Sequence, residues 1–271
     1  MRARAVIPPR ASLAKLRKIA AGCTACDLYK RGTQTVFGEG SAGARVGSSE
    51  ALGGDDVCVW LAEPAAWREP TDRERLLTLL SDEERDRQRR FHFDEDRLAF
   101  LVAHGLVRLA LSRYAPVAPE RWTFSADSYG KPSIAAPAST LRFSLSHTRT
   151  LVACAVVSDR PVGVDVEDAS RAAPLEVADR YFTPGERRDI AAAEPDRQAR
   201  RFFEYWTLKE AYVKAYGLGL SLPLDRFEFR READGAWRIE FAPPPLDDPA
   251  AWWFRAWATP THQAAVALRT G

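Results

Sequence analysis

The chain has 271 residues, of which 46% are hydrophobic, and its 39 basic and 37 acidic side chains leave a formal net charge of +2. This length allows one large core or two smaller lobes, and the composition excludes a fibrous or disordered protein. The first 56 residues carry a net charge of +4 and the remainder carries −2, so the main body lacks the basic surface that general nucleic-acid binding requires.

The N-terminus and the cysteines favour a cytoplasmic protein. Residues 1–10 have too short an apolar run for the core of a signal peptide. The four cysteines are Cys23, Cys26, Cys58 and Cys154. They are too few and too irregularly spaced for a disulfide framework in a chain of this length, so we expect reduced thiols.

Residues 12–46 carry a cysteine and glycine pattern that differs from the rest of the chain. Cys23 and Cys26 are followed by a glycine-containing run, a pattern that resembles the opening of family-4-type iron–sulfur uracil-DNA glycosylases. The glycosylase loop Gly-Glu-x-Pro-Gly is missing after Arg45, and Cys58 and Cys154 lack the spacing of cluster ligands. We therefore expect residues 1–56 to be a poorly structured extension without activity, left by a gene fusion or a mis-assigned upstream start, with the Gly/Ser-rich run 38–54 as a linker.

From Val57 onward the apolar pattern predicts helices followed by strands. The predicted elements are a strand at 57–62, helices starting at Thr71 and at Ser81, a helix over 94–113, and strands at 142–146, 151–157 and 162–167. Thr71 and Ser81 each have the spacing of a capping box. The helix over 94–113 carries a core-facing stripe of Leu98, Leu101, Val102, Leu106, Leu109 and Ala110.

The second half of the chain repeats this order. The predicted elements are helical stretches near 174–193 and 197–216, strands at 225–231, 236–241, 251–258 and 263–269, and a hairpin turn at Asp234-Gly235. We therefore predict an α+β protein with two similar lobes, residues 57–160 and 161–271, which follow the extension 1–56.

The segment Gly163-Val-Asp165-Val-Glu167 places two acids on one predicted strand. Alternate residues of a strand face the same side, so Asp165 and Glu167 share a face and Val162, Val164 and Val166 take the other. One interpretation is an ordinary half-exposed strand whose acids lie in water. The other is a pair of carboxylates that binds a hard cation such as magnesium.

The segment Trp206-Thr-Leu-Lys209-Glu210-Ala-Tyr-Val-Lys214 lies on a predicted helix that should end at Gly217. Glu210 and Lys214 are four residues apart and share a face, as a surface ion pair would. Alternatively, Glu210 joins Asp165 and Glu167 as a third acid and Lys214 meets phosphate oxygens. We expect Trp206 to serve packing rather than chemistry.

Three further pieces carry weaker signals. Tyr129-Gly-Lys131-Pro132 is a turn that presents a lysine, and Ser146-His147 ends a strand. Arginines at 85, 87, 89 and 90 crowd one predicted helix. Each of these is a common structural feature by itself.

In their order along the chain, the segments at 129–132, 143–148, 163–167 and 206–214 resemble the 4'-phosphopantetheinyl transferase superfamily over residues 57–271. The similarity is greatest to the long, broad-specificity, surfactin-synthetase-activating subclass. It implies a monomeric pseudo-dimer of two α+β lobes with the active site between them. It also implies magnesium-dependent transfer of the phosphopantetheine arm of coenzyme A to a serine of an acyl or peptidyl carrier protein, with release of 3',5'-ADP.

The resemblance also implies roles for individual residues. Asp165, Glu167 and Glu210 would bind Mg²⁺, Glu210 would be the base, directly or through a metal-bound water, and Lys214 would stabilise the leaving phosphate. The expected contacts with coenzyme A are Arg87, Arg90, Lys131, Pro132, Ser146, His147 and Lys214. The carrier would be a small acidic helical domain, which Arg187, Arg188, Arg197, Arg200 and Arg201 could steer, although these arginines also suit a solvated face.

Other function classes compete with this interpretation. A non-catalytic scaffold for carrier proteins or coenzyme A could keep the same fold. An iron–sulfur nucleic-acid-binding protein would rest on Cys23 and Cys26, and a carboxylate–metal nuclease would need a basic surface. The acids at 165, 167 and 210 disfavour the scaffold, and the near-neutral body disfavours the nuclease.

Overall fold

A computed structural model describes residues 5–6, 33–38, 45–46, 52 and 56–270. Cys23 and Cys26, on which the iron–sulfur resemblance rests, lie outside these residues, as does most of the expected linker 38–54. The chain divides into a first unit, Met1–Ser125 with Pro132–Asp159, and a second unit, Ala126–Lys131 with Arg160–Gly271. Sheet and helix occur in both units, as predicted for an α+β protein.

The first half of the chain contains the strands β1 (Ala5–Val6), β2 (Thr33–Gly38), β3 (Arg45–Val46), β4 (Asp56–Ala62), β5 (Thr123–Ala126), β6 (Pro132–Ala136), β7 (Leu141–His147) and β8 (Val152–Ser158). Its α-helices are α1 (Pro70–Leu79), α2 (Asp82–Arg90) and α3 (Asp94–Tyr114), with 3₁₀ turns at Pro64–Trp67 and Pro119–Arg121. One antiparallel sheet has the order β2-β4-β8-β7, while β1 pairs with β3 and β5 with β6. The strands β1, β2, β3, β5 and β6 were not predicted from the sequence.

Helix α3 forms the core of the first unit. Its predicted stripe is confirmed for Leu98, Leu101, Val102, Leu106 and Ala110, which are buried, while Leu109 is only partly buried. Other sides of α3 are buried as well, and Leu76 of α1 lies so near Gly105 that a Cβ at this glycine would meet its methyl group at 2.5 Å. A helix buried on several sides explains why the apolar residues extend beyond one stripe.

The start of α1 differs from the prediction. The N-cap is Glu69, its side chain makes no capping hydrogen bond, and Thr71 lies inside the helix. Pro70 occupies the first helical position, where its fixed φ and missing N–H favour helix initiation, so the helix begins before the expected cap. The capping box at Ser81 is confirmed, with Ser81 and Glu84 each accepting the other's backbone N–H.

The second half of the chain contains the strands β9 (Val162–Asp168), β10 (Phe227–Arg231), β11 (Trp237–Phe241), β12 (Trp252–Ala258) and β13 (His262–Arg269). Its α-helices are α4 (Leu175–Tyr181), α5 (Pro184–Ala192) and α6 (Pro195–Tyr216), with 3₁₀ turns at Gly219–Ser221, Leu224–Arg226 and Pro249–Ala251. The strands form an antiparallel sheet of order β12-β13-β9 and a β10–β11 hairpin. The predicted helical stretch 174–193 is divided because Thr183 caps a new helix with Pro184 at its first position.

Helix α6 carries a buried ion pair on the side that faces α5 and β10. The Lys209 ammonium and the Glu186 carboxylate are fully buried, with Nζ and Oε2 2.9 Å apart. Lys209 also donates to the carbonyl oxygens of Leu224 and Phe227, and Glu186 accepts from the backbone N–H of Phe229. Burial lowers the pKa of Lys209, and the Glu186 carboxylate opposes that shift. The hydrogen-bond partners offset the cost of burying both charges and fix the rotation of α6.

Two simpler features of the structure concern the thiols and the length of apolar helices. Cys58 and Cys154 are unpaired and buried, in agreement with the predicted reduced thiols. Within the part of the chain that the structure describes, no helix combines the length and apolar character needed to cross a membrane.

Glu84 links two helices of the first unit. Besides capping α2, its carboxylate contacts His104 Nδ1 at 2.8 Å and Arg108 Nη2 at 2.6 Å, both on α3. Burial raises the pKa of Glu84, but the hydrogen bonds from His104 and from the Ser81 N–H, together with the charge of Arg108, outweigh it and hold the pKa at about 2. The carboxylate is therefore an acid-sensitive link between α2 and α3.

Replacement of Glu84 by Gln should lower stability at neutral pH and remove part of its pH dependence. The pKa falls from 4.5 to about 2 on folding, so the stabilisation, roughly 3 kcal/mol, is complete above pH 4.5 and is lost as the pH falls towards 2. Urea denaturation between pH 7 and pH 2 should show the gap between wild type and variant closing in this window. Glu83→Gln, an exposed acid in the same helical turn, is the control, and a gap independent of pH would contradict the assignment.

Candidate functional site

The candidate site begins with a close contact between β9 and α6. A Cβ on Gly163 would overlap the carbonyl oxygen of Ala211 and lie 2.6 Å from the backbone nitrogen of Ala215. Both atoms belong to helix backbone, which cannot turn aside as a side chain can. Only glycine therefore allows the strand to approach the helix this closely.

From this contact, β9 and α6 run in opposite directions with facing side chains. Asp165 Oδ1 accepts a hydrogen bond of 2.7 Å from Lys214 Nζ, and Glu167 Oε1 accepts one of 3.2 Å from Trp206 Nε1. The prediction that Asp165 and Glu167 share a face is confirmed. The alternative that both acids lie in water is wrong for Asp165, which is only 4% exposed.

Glu210 belongs to the same electrostatic cluster. Burial and the Asp165 carboxylate raise the pKa of Glu210 to about 7, Lys214 opposes the shift, and Glu167 adds to it. The expected alternative, a surface pair of Glu210 with Lys214, does not form, because the Lys214 ammonium pairs with Asp165. Asp165 and Lys214 are thus in direct contact, while Glu210 influences them through its charge, and the joint role of the three acids stays a prediction.

Glu167 has a second partner that the sequence analysis missed. Arg171 Nη2 donates to Glu167 Oε2 at 2.6 Å, and the Arg171 guanidinium lies 5.3 Å from the centre of the Phe203 ring. Burial and the Asp165 carboxylate raise the pKa of Glu167, while Arg171 and Trp206 oppose the shift. The only sequence signal for this pair was an arginine four residues after an acid.

The donor set suits a hard divalent cation. Three carboxylates occur within electrostatic range of one another, and burial, followed by the charge of Asp165, raises the pKa of Glu167 and Glu210; a bound cation would relieve the repulsive part of this shift. As the side chains stand, no three acidic, histidine or cysteine groups among the described residues are close enough to hold a metal ion. Asp165 and Glu167 are instead paired with Lys214 and Arg171.

Lys131 contacts the C-terminal end of α6. Its Nζ donates to the carbonyl oxygen of Ala215 at 3.0 Å, next to Gly217, which ends the helix with a φ of +93° as predicted. The Asp127 carboxylate shapes the turn by accepting the N–H groups of Tyr129 and Lys131. Burial lowers the pKa of Lys131. Its bond to the Ala215 carbonyl is a structural contact, in addition to any contact with a ligand.

The remaining predicted residues belong to the first unit. Arg87 and Arg90 are exposed on α2, and the Arg87 guanidinium lies 5.7 Å from the centre of the Phe100 ring. Ser146 is buried and His147 is exposed at the end of β7, and Pro132 is exposed at the start of β6. Their expected contacts with coenzyme A stay predictions.

Two family models cover most of the described body. Residues 161–268 match the 4'-phosphopantetheinyl transferase superfamily and residues 65–159 match 4'-phosphopantetheinyl transferase, N-terminal, so neither match reaches residues 12–46. A 4'-phosphopantetheinyl transferase of Bacillus subtilis is 36% identical over 169 residues, which are 62% of this chain and 74% of that protein. The 4'-phosphopantetheinyl transferase HetI of Nostoc is 38% identical over 164 residues, which are 57% and 69% of the two chains.

A solved structure, holo-(acyl-carrier-protein) synthase from Bacillus anthracis in complex with CoA (3',5'-ADP), gives a TM-score of 0.35 with 18% identity. The alignment covers 40% of this chain and 94% of that chain. This likeness is too weak to bear on the site.

Replacement of Gly163 by Ala should destabilise the second unit, because the new methyl group would overlap helix backbone. We expect a loss of about 3 kcal/mol in the free energy of unfolding, the upper range for an overpacked core. Chemical denaturation followed by tryptophan fluorescence measures it. Gly105→Ala is the matched control, because its methyl group would meet the movable end of Leu76. Equal losses in the two variants would contradict the rigid contact.

Proposed function

This chain belongs to the 4'-phosphopantetheinyl transferase superfamily, and on that premise we propose that its transfer chemistry takes place at the acids of β9 and α6 with the help of magnesium. Members of this class transfer the 4'-phosphopantetheine group from coenzyme A to carrier proteins, and so does this protein. The observation that supports the site assignment is that Asp165 and Glu167 of β9 contact Lys214 and Trp206 of α6, with the charge of Asp165 acting on Glu210.

Phosphoryl-type transfer depends on positioning and charge neutralisation more than on covalent chemistry by the protein. Asp165, Glu167 and Glu210 would hold the magnesium ion, which would neutralise charge on the diphosphate of coenzyme A. The serine oxygen of the carrier forms a bond to the phosphorus on the pantetheine side. The bridging P–O bond breaks, and 3',5'-ADP leaves.

The proton of the serine and the charge of the leaving group are assigned to Glu210 and Lys214. Glu210 is proposed as the base for the serine proton, because its partly buried carboxylate belongs to the same electrostatic cluster as Asp165 and Lys214. The Lys214 side chain is 30% exposed while its ammonium lies on Asp165, so it can stabilise negative charge on the leaving phosphate. Arg87, Arg90, Lys131, Pro132, Ser146 and His147 complete the proposal as contacts with the nucleotide end.

We also propose a cellular compartment and an oligomeric state. Unpaired, buried thiols at Cys58 and Cys154 suit a reducing environment, which supports a cytoplasmic enzyme. We propose that it acts as a monomer, since one chain supplies both α+β units.

The site assignment is tested by the intact mass of an apo carrier protein after incubation with this protein, coenzyme A and magnesium. Wild type should add one phosphopantetheine, and Asp165→Asn should be slower by roughly 100-fold or more, because it weakens charge neutralisation in the transition state. Asp168→Asn is the matched control, since Asp168 lies on the other face of the same strand and binds Ser170. An unimpaired Asp165→Asn variant would contradict the site assignment, and full activity in the presence of a metal chelator would contradict the role of magnesium.

Carrier docking is proposed to use the arginines of α5 and α6, among which Arg201 is already paired with Asp189 and Glu204. Arg188, Arg197 and Arg200 are exposed there, and Arg187 is partly engaged by Asp179 at 3.1 Å. Opposite charges steer association, so an acidic carrier would be attracted to this surface.

Reversal of Arg187 and Arg188 to Glu should therefore raise the KM for the carrier several-fold, with the KM for coenzyme A unchanged. The effect should shrink in high salt, because exposed charges are screened. Arg238→Glu, an exposed position on β11, is the control. An unchanged carrier KM in the double variant would remove the steering proposal.

A further inference from the structure

Both carboxylate oxygens of Glu167 already accept hydrogen bonds. Trp206 donates to Oε1 at 3.2 Å and Arg171 donates to Oε2 at 2.6 Å. The Arg171 contact is short and charge-assisted, which makes it the stronger of the two. An oxygen that is shared with a guanidinium is a poor ligand for a dication, because two positive charges would compete for it.

Trp206 and Arg171 differ in how freely each can move away from Glu167. Trp206 is held within an aromatic cluster, with its ring stacked on Phe202 at 6.0 Å and in contact with Tyr181 and Phe182. The Arg171 side chain is 54% exposed, and its residue follows the end of β9. Arg171 can therefore withdraw into water, while Trp206 stays in place and continues to orient Glu167.

We propose that Arg171 is an internal counterion of Glu167 that competes with magnesium for this carboxylate and lowers the affinity of the site for the metal. The inference rests on the proposed function, because it concerns the same acids. Lys214 neutralises Asp165 in a similar way, but it belongs to the proposed catalytic machinery. Arg171 then tunes metal affinity through its contact with Glu167.

Removal of the Arg171 side chain, which contacts the site, should improve metal binding. Arg171→Gln should tighten Mg²⁺ binding about two- to fivefold, the range expected for a partly exposed ion pair. Arg171→Lys keeps the charge but loses the planar fork, so its affinity should lie between those of wild type and the Gln variant. General damage to the fold would weaken binding instead.

The measurement is calorimetric titration of the full-length protein with MgCl₂, together with the rise of the unfolding temperature with added Mg²⁺. Arg180→Gln is the matched control, because Arg180 is an exposed arginine nearby in sequence whose guanidinium lies over Tyr181. Its loss removes the same charge without freeing Glu167. The unfolding temperature in chelator establishes that each variant is folded.

The outcomes separate this inference from the proposed function. If wild type binds Mg²⁺, Asp165→Asn does not, and only the Arg171 variants bind more tightly, the counterion role is supported. If wild type binds but Arg171→Gln is unchanged or weaker, or Arg180→Gln tightens binding equally, the counterion role is overturned and the metal site stands. If wild type binds no Mg²⁺ either alone or with coenzyme A present, both proposals fail.

Discussion

The backbone contact between Gly163 and α6 is the constraint on which the site depends. Because no side chain separates the strand from the helix there, the acids farther along β9 reach α6 directly. The neighbouring strand helps, since Ala265 and Ala267 are paired with Asp165 and Gly163 and are fully buried. Directly paired residues of antiparallel strands face the same side, so this surface is small enough for a helix to lie flat on it.

This close packing concentrates negative charge that the fold must then balance. Holding the buried Asp165 near the partly buried Glu167 and Glu210 is unfavourable unless cations neutralise the charge. The chain supplies Lys214 from the helix and Arg171 from the segment after the strand. The resulting balance differs from that of an ordinary core ion pair, because both cations are partly exposed and can change partners.

Much of the fold could be predicted because its signals are local. The stripe of α3, the capping box at Ser81 and the glycine after α6 depend on periodicity and on terminal residues, and all three were confirmed. The cap at Thr71 was wrong because Pro70 starts the helix by backbone geometry alone. The short strands β5 and β6 were missed because they carry little apolar alternation.

The site, like the fold, could be predicted where its signals are local and not where they depend on distant residues. Strand alternation placed Asp165 and Glu167 on one face, and helical spacing associated Glu210 with Lys214. The partners of these residues lie up to about fifty positions away, so the Asp165–Lys214 pair and the bond from Trp206 to Glu167 could not be read from spacing. The role of Gly163 was also hidden, since a glycine among valines does not reveal which backbone approaches it.

The buried pair of Lys209 and Glu186 has a consequence for how the chain selects its own register. Lys209 and Glu210 are neighbours, so their side chains point about 100° apart around α6. A slip by one residue would point Glu210 towards Glu186 and the carbonyl oxygens of Leu224 and Phe227, and Lys209 would leave the pocket that satisfies it. The interior would then hold facing negative groups. The opposite charges of two adjacent residues thus stabilise one rotation of the helix about its axis and destabilise the neighbouring one.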